Sequence, residues 1–199
     1  MRLHTSHSRA WKRALELLAS GGVVVLPTDT LYGLHAIASS GGALDRIARL
    51  KGLPAPRNFV HLAADAESVW CCVEVDSTLR ERLAQVWPAP LTAILSGRCG
   101  GGQAGHPVAY RVPGNPLLRS LVANLGEFVI STSVNRQGET PLVDPVAIER
   151  TFDVDLVVDD GVVDGVASTL IDGTMSPPRV IRQGSYDWAA ATGDANPSK

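Results

Sequence analysis

The chain has 199 residues, of which 45% are hydrophobic and 19% charged, and its formal net charge is −2 at pH 7. This length fits one domain with its own core, and no apolar run approaches the roughly 18 residues that a membrane-spanning helix needs. The acidic balance argues against broad electrostatic binding of nucleic acid. The N-terminal residues, with His4, Arg9 and Lys12, lack the apolar stretch of a secretory signal. We therefore expect a soluble, cytoplasmic protein without membrane contacts.

Taken in chain order, the hydrophobic pattern predicts helices and short strands in irregular alternation. The first helix has Ser8 as its N-cap and Gly21 as its stop, and Asp144 with Pro145 begins the last one. The predicted helices are residues 8–18, 43–50, 66–72, 77–86, 116–125 and 144–152. The predicted strands are residues 23–26, 59–63, 91–95, 108–112 and 128–130, and further strands lie within residues 156–161, 168–173 and 179–184.

This irregular order favours an α/β or α+β fold, in which helices flank a twisted mixed sheet. We find no internal repeat and no linker, so we place a single domain at residues 1–188. Residues 189–199 contain Ala, Gly and Pro but few large apolar residues, and we expect them to form a disordered tail.

A polar segment follows the first predicted strand. Pro27 ends the strand because it has no N–H group, and the next residues place three hydroxyls and one carboxylate close together, on Thr28, Asp29, Thr30 and Tyr32. The residues that follow have a helix-like pattern. We interpret the segment as the mouth of a site for a polar small molecule, while a plain Pro-Thr-Asp turn with Asp29 as a helix cap is the alternative.

A second polar segment follows the predicted strand at residues 128–130. Small hydrogen-bonding side chains, which suit ribose, phosphate or base edges, occur here at Ser131, Thr132, Ser133 and Asn135. A plain turn is the alternative. Arg111 lies within or at the end of another strand, where it faces solvent or pairs with an anion.

The common signatures of nucleotide and metal sites are absent. The sequence has neither GxxxxGK nor GxGxxG, so a nucleotide site would have to be built in another way. Cys71 and Cys72 are adjacent and Cys99 stands alone, which is not metal-ligand spacing. We assign the cysteines no redox role and predict no protein metal site.

Seven segments in the same order resemble the YrdC-like family, the threonylcarbamoyl-AMP synthases. They include Pro-Thr-Asp-Thr-Leu-Tyr-Gly-Leu at residues 27–34, Lys-Gly-Leu-Pro at 51–54 and Trp-Pro-Ala-Pro-Leu-Thr at 87–92. The others are Ala-Tyr-Arg-Val-Pro at 109–113, Ser-Thr-Ser-Val-Asn at 131–135, Ala-Ser-Thr-Leu-Ile-Asp at 167–172 and Val-Ile-Arg-Gln-Gly at 180–184. The resemblance implies a YrdC-like fold with a large central cavity.

The resemblance also implies a reaction. L-Threonine, bicarbonate and ATP with Mg²⁺ would give threonylcarbamoyl-AMP and pyrophosphate, for t6A formation on tRNA and handover to a t6A transferase complex. The threonine side would be formed by Thr30, Tyr32, Arg111, Ser168 and His61. The nucleotide side would be formed by Ser131, Ser133, Asn135, Arg57 and Arg182. Lys51 and Arg182 would act as the catalytic cations, because charge on the phosphates must be neutralised.

Several positions depart from the family pattern. Leu53 stands where a second basic residue is usual, and Arg57 either replaces that residue or merely matches a polar position. His35 and Ala89 each stand where glycine is usual. His61 lies near the position of a threonine-contacting histidine, although a gapless alignment places Leu62 there.

These departures keep two alternative functions open. One is a divergent paralogue with altered acyl-adenylate or carbamoyl chemistry. The other is a non-catalytic module that binds RNA or a nucleotide, with weak RNA binding as its signature.

Overall fold

The computed structural model describes residues 1–7, 9–54, 59–98 and 106–192, and its centre is one mixed sheet. The strands are β1 (Arg2–His4), β2 (Val24–Pro27), β3 (Tyr32–Ile37), β4 (Val60–Leu62), β5 (Val73–Glu74), β6 (Leu91–Gly97), β7 (Pro107–Arg111), β8 (Val129–Ser133), β9 (Leu156–Asp159), β10 (Thr169–Asp172) and β11 (Arg179–Arg182). The helices are α1 (Ala10–Ala19), α2 (Gly41–Lys51), α3 (Ala66–Trp70), α4 (Ser77–Val86), α5 (Pro116–Leu125), α6 (Pro145–Thr151) and α7 (Trp188–Thr192).

The strand order is β1-β9-β2-β3-β8-β4-β7-β6-β10-β11, with β5 paired to β6 outside this path. Four pairs are parallel, namely β1 with β9, β2 with β9, β4 with β7 and β6 with β10, and the other pairs in the described chain are antiparallel. This confirms the predicted α/β class with a mixed sheet flanked by helices.

The polar segment at residues 28–31 forms the tight turn of a β-hairpin. The Thr28 amide donates to the Leu31 carbonyl at 3.2 Å, and Pro27 pairs with Tyr32. The prediction of a helix-like segment after this turn is wrong, because the turn returns the chain along β2 as β3. All six β3 residues are buried between β2 and β8, and in that position the sheet satisfies their backbone groups.

The helix ends follow the expected capping chemistry. Asp144 accepts a hydrogen bond from the Val146 amide at 2.9 Å and Pro145 is the first residue of α6, which confirms the predicted start. At the C-terminus of α2, Gly52 has a φ of 66°, and the Leu53 amide donates to the Ala48 carbonyl at 2.9 Å. Ser8, the predicted cap of the first helix, lies outside the described residues.

The two faces of the sheet have different covers. On one face, α2, α3, α4 and α6 cover the sheet through apolar side chains such as Ile47 of α2 and Leu83 of α4. On the other face, α1 and α5 cover only part of the sheet through Leu18, Leu118 and their neighbours. Beyond these helices, the same face carries small polar residues in place of apolar ones. The uncovered part of this face is therefore where a cavity can form.

Several elements were not predicted. β1, β5 and α7 were missed because each is five residues or shorter and shows no clear period. Helix α7 includes residues 189–192 of the predicted tail and begins at the buried Trp188, while residues 193–199 of that tail lie outside the described residues. Within the described ranges, no helix combines the length and apolar character needed to cross a bilayer.

We predict that Tyr32→Phe lowers the free energy of unfolding by about 1–3 kcal/mol. The fully buried Tyr32 hydroxyl donates to the Gly161 carbonyl and accepts from the Asp160 amide, both at 2.8 Å, and the variant leaves both groups without this partner. Urea denaturation measures the difference.

The matched control for this variant is Tyr186→Phe. The Tyr186 hydroxyl has no hydrogen-bond partner among the residues that the structure describes, and we expect its loss to change stability by less than about 0.5 kcal/mol. Equal effects of the two variants would contradict the structural role of the Tyr32 hydroxyl.

Candidate functional site

The uncovered part of the sheet forms a cavity of about 270 Å³. Its wall combines two guanidinium groups, on Arg111 and Arg182, with hydroxyl-bearing residues. The hydroxyl-bearing residues are Thr28, Thr30, Tyr32, Thr92, Ser131, Thr132, Ser133 and Ser168. The remaining wall is formed by Leu31, Gly33, Phe59, Val60, Leu62, Pro141 and Ala167. None of the described lining residues is a carboxylate, and Arg182 adds a positive charge beside the Arg111–Asp29 ion pair, so the wall suits an anionic ligand.

Strand register explains why these residues meet. Gly33 pairs with Ser133, Val60 pairs with Ser131 and Leu62 pairs with Arg111, so β3, β8, β4 and β7 present them on one face of the sheet. The segment around residue 165 then crosses the hairpin turn. A Cβ at Gly165 would collide with the Thr30 carbonyl, so only glycine permits this close approach.

Arg111 is buried and held from one side. Its Nη2 donates to Asp29 Oδ1 at 2.6 Å and its Nη1 donates to Thr30 Oγ1 at 3.2 Å. The other Asp29 oxygen accepts from the Gly114 amide at 2.9 Å. Arg111 Nε has no partner in the described chain, and a guanidinium has five N–H groups, so donors remain for a carboxylate or phosphate ligand.

Thr28 organises the hairpin turn beside Arg111. Its Oγ1 accepts from the Thr30 amide at 3.0 Å and from the Leu31 amide at 3.2 Å, and it donates to the Leu31 carbonyl at 2.7 Å. The same oxygen lies 2.9 Å from Thr30 Oγ1. The Thr30 hydroxyl is thus fixed between Thr28 and Arg111 in the cavity wall.

Two more hydroxyls meet near the start of β6 and just before β10. Thr92 Oγ1 and Ser168 Oγ are 2.9 Å apart, and both residues are buried. Arg182 Nη2 donates to the Ser168 carbonyl at 2.8 Å, which directs its guanidinium along the cavity wall. Burial and the nearby charge of Arg111 lower the pKa of Arg182. The two guanidiniums therefore repel each other, and a bound anion would relieve that repulsion.

Lys51 is buried behind this wall and is not one of its lining residues. Its Nζ donates to the Ser133 carbonyl at 2.6 Å, to the Asn135 carbonyl at 2.9 Å and to Asn135 Oδ1 at 2.8 Å. These three bonds use all three ammonium hydrogens. Burial lowers the pKa of Lys51 to about 8. Lys51 thus fixes the end of β8, whereas the resemblance implies a catalytic cation near the phosphates.

The predicted nucleotide residues divide into two groups. Ser131 and Ser133 lie in the cavity wall. Asn135 lies behind it, accepting from Ser133 Oγ at 2.6 Å and donating to the Glu139 carbonyl at 2.7 Å. Both the oxygen and the nitrogen of its side-chain amide therefore bond to other groups of the protein. Arg57 lies outside the described residues.

Two residues predicted to contact threonine have other surroundings. His61 packs against Tyr110 and Phe128, with ring centroids 5.6 Å and 6.0 Å away, on the face of β4 opposite Leu62. Leu62, the residue that a gapless alignment selects, lines the cavity, since successive side chains of a strand point to opposite faces. Tyr32 lines the cavity, but its hydroxyl bonds to the backbone of residues 160 and 161.

The positions that depart from the family pattern lie in different environments. Leu53 is half-buried at the C-terminus of α2, and Ala89 is buried in the apolar core, where its amide donates to the Val112 carbonyl at 3.0 Å. Neither lines the cavity. His35 is fully buried directly beneath Gly33 and Ser131, which do.

Some functional residues were missed from the sequence. The sequence suggests Asp29 as a cap, whereas in the structure it is the ion-pair partner of Arg111. Thr92 lies in one of the seven resembling segments without a predicted role, and in the structure its hydroxyl bonds to that of Ser168. Thr92 ends the segment Pro-Leu-Thr that opens β6, and a hydroxyl at a buried strand start was the signal available.

For L-threonine, the substrate that the sequence resemblance implies, we predict that Asp29→Asn weakens binding at least about tenfold, which corresponds to 1.4 kcal/mol. The neutral amide no longer holds the Arg111 guanidinium by charge, so the arginine loses its fixed direction. Isothermal titration calorimetry measures the affinity.

Asp155→Asn is the matched control. Asp155 also accepts from an arginine, Arg46, at 2.6 Å and from a backbone amide, that of Val23, at 2.7 Å, but it lies away from the cavity. We expect it to lower stability and leave L-threonine affinity unchanged. Equal losses of affinity in both variants would refute a specific role for Asp29.

A second prediction concerns pH and Lys51. Because burial lowers its pKa from 10.5 to about 8, the unfolded chain binds more protons than the folded one between these two pH values. Stability contributed by Lys51 therefore increases as the pH rises from about 8 to about 10.5. The unfolding free energy of the wild type minus that of Lys51→Met should therefore increase over this pH window.

Chemical denaturation at several pH values tests this prediction. Lys12→Met, on the exposed side of α1, serves as the control that removes an unburied lysine. If the difference in unfolding free energy between the wild type and Lys51→Met stays constant with pH, the charged form of Lys51 is not destabilised by burial.

Comparison with known proteins shows several relatives of this fold. The family model Sua5_yciO_yrdC, described as "Telomere recombination", matches residues 16–184. YciO of Escherichia coli (strain K12) is 32% identical over 187 residues, which cover 90% of this chain and 91% of YciO. The crystal structure of E. coli YciO has a TM-score of 0.82 at 30% identity, covering 94% of this chain and 96% of that one.

Two further relatives have names that describe a function or a ligand. A threonylcarbamoyl-AMP synthase of Nitrosococcus oceani is 30% identical over 179 residues, which cover 86% of this chain and 91% of the relative. P. abyssi Sua5, solved in complex with L-threonine, has a TM-score of 0.84 at 25% identity, and the match covers 98% of this chain and 61% of Sua5. The predicted resemblance is confirmed, and the chain belongs to the Sua5–YciO–YrdC family.

Proposed function

We propose that the protein is a nucleotidyltransferase that converts L-threonine, bicarbonate and ATP into threonylcarbamoyl-AMP and pyrophosphate. The observation that carries the proposal is the cavity itself, in which Arg111 and Arg182 meet several hydroxyls and no lining carboxylate. All three substrates carry negative charge, so a wall of this composition suits them. The named synthase of N. oceani and the L-threonine complex of P. abyssi Sua5 support the same substrates.

The proposed chemistry joins two steps. The amine of threonine attacks bicarbonate, water leaves, and a carbamate forms. A carbamate oxygen then attacks the α-phosphorus of ATP, the bond from that phosphorus to the bridging oxygen breaks, and pyrophosphate leaves with both bonding electrons. No protein nucleophile is needed, so the protein contributes by orienting the groups and neutralising charge.

The threonine side of the cavity is assigned to three residues. Arg111 has free N–H groups for the threonine carboxylate, and Asp29 prevents it from turning away. The Thr30 hydroxyl lies beside Arg111, and Ser168, the residue before β10, supplies a further hydroxyl. These groups would hold the amino acid so that its amine faces the nucleotide.

The nucleotide side is assigned to Ser131, Ser133 and Arg182. The serines present small polar groups from β8, and Arg182 places a positive charge on the wall. We assign Lys51 a positioning role, because its ammonium bonds to the backbone at the end of β8 and fixes Ser133. This assignment replaces the direct catalytic role that the sequence suggested for Lys51.

Mg²⁺ enters this proposal together with ATP. Among the residues that the structure describes, no group of three metal-ligating side chains comes together, whereas Mg²⁺ is commonly bound through substrate phosphates with few protein ligands. The hydroxyls of Ser131 and Ser133 are oxygen donors that fit such an ion. When bound, Mg²⁺ would neutralise charge on the phosphates.

Use of the product in tRNA t6A formation, with handover to a t6A transferase complex, is part of the same proposal. It is supported by membership of a family in which relatives are named threonylcarbamoyl-AMP synthases.

We predict pyrophosphate release by the purified protein that requires L-threonine, bicarbonate and ATP together. Arg111→Gln and Arg182→Gln should each lower kcat/KM by about 10²–10³, since each removes a charge aimed at an anionic substrate. A coupled pyrophosphate assay, with each substrate omitted in turn, measures the dependence.

Arg46→Gln is the control, because Arg46 is bonded to Asp155 outside the cavity and its loss should leave turnover nearly unchanged. Pyrophosphate release with another amine in place of L-threonine would favour the paralogue with altered chemistry. Nucleotide or RNA binding without any pyrophosphate release would favour the non-catalytic module.

A further inference from the structure

His35 occupies an unusual place for a titratable side chain. It lies on β3, with Val24 of β2 opposite it on one side and Ser131 of β8 on the other. Directly paired residues share a face of the sheet, so the His35 ring is on the same face as the cavity. The residue is fully buried, and the lining residues Gly33 and Ser131 separate it from the cavity.

The imidazole touches both of these lining residues. A Cβ placed on Gly33 would lie 2.6 Å from His35 Cε1 and 3.1 Å from Ser131 Oγ, so the ring fills the space that a side chain at residue 33 would need. His35 Nε2 is 3.3 Å from Ser131 Oγ. The imidazole, the glycine and the serine hydroxyl therefore form one packed unit at the bottom of the cavity.

The ring is neutral in this environment. Burial lowers the pKa of His35 to about 4, and the charge of Arg111 acts in the same direction, whereas a hydrogen bond to the Gly33 backbone raises it. A neutral imidazole carries one N–H donor and one acceptor. His35 Nδ1 has no partner in the described chain. Because a buried N–H without a partner is rarer than an unpaired acceptor, the favoured tautomer carries its proton on Nε2.

In that tautomer, Nε2 donates to Ser131 Oγ and the serine proton is left to point elsewhere. We propose that His35 is a positioning residue, which turns the Ser131 hydroxyl so that its proton is offered to an acceptor oxygen of the nucleotide. The identity of that ligand rests on the proposed function, whereas the coupling between His35 and Ser131 is a property of this chain alone.

The experiment uses three variants and a matched control. His35→Leu removes the donor, Ser131→Ala removes its acceptor, and His35→Gln restores an amide N–H near the position of Nε2. His61→Leu is the control, because His61 is a half-buried histidine whose Nδ1 is also buried without a partner in the described chain, but it lies on the other face of the sheet. Isothermal titration calorimetry with a non-hydrolysable ATP analogue measures affinity, and L-threonine is titrated separately.

We expect His35→Leu and Ser131→Ala each to weaken binding of the ATP analogue by about 3- to 10-fold, the range for one hydrogen bond. The double variant that combines His35→Leu with Ser131→Ala should bind the ATP analogue no more weakly than either single variant, because both substitutions remove the same interaction. His35→Gln should restore most of the affinity. His61→Leu should leave it unchanged, and L-threonine affinity should be the same in all variants.

The outcomes separate this inference from the proposed function. Binding of the ATP analogue without pyrophosphate release would refute the synthase and leave the His35 test valid. Additive losses in the double variant, no rescue by His35→Gln, or an equal loss in His61→Leu would overturn the positioning role. Failure of the wild-type protein to bind the ATP analogue would also overturn it.

Discussion

The site depends on the buried ion pair between Arg111 and Asp29. A buried guanidinium without a partner is strongly disfavoured, because it loses its hydration. Asp29 supplies the counter-charge from the hairpin turn and also accepts from the Gly114 amide. The pair therefore ties the β2–β3 turn to the end of β7. It keeps part of the guanidinium available, since Asp29 and Thr30 together leave N–H groups of Arg111 unbonded.

The remaining geometry follows from the way one face of the sheet is covered. Helices α1 and α5 bury the apolar part of this face, and the small polar residues of β8, with Thr92 of β6 and Ser168 before β10, begin where that cover ends. Large side chains there would fill the cavity, whereas serine and threonine leave space and still offer hydrogen bonds. Gly33 and Gly165 permit two close contacts beside this space, with the His35 ring and with the Thr30 carbonyl. The cavity is thus a part of the sheet face that no helix covers.

Two buried groups support the wall from behind without lining it. Lys51 bonds to the backbone where β8 ends, and His35 packs beneath Gly33 and Ser131. Each is a costly group to bury, because desolvation lowers the pKa of both side chains. Both are tolerated at positions that fix serines of the cavity wall. Rigid support of this kind keeps binding groups in place before a ligand arrives.

Local chemistry in the sequence was enough to predict many elements. Pro27 ending a strand, Asp144 with Pro145 starting a helix, and Gly52 ending one each act over a few residues, so the fold class and the polar strand ends could be inferred. The pairing of strands that are distant in sequence decided the rest. Only the register of β4 against β7 places Leu62 beside Arg111 and turns His61 away, and only the return of the hairpin makes residues 32–37 a strand. A shift of one residue would reverse which side chains face the cavity, and no short segment of sequence specifies that register.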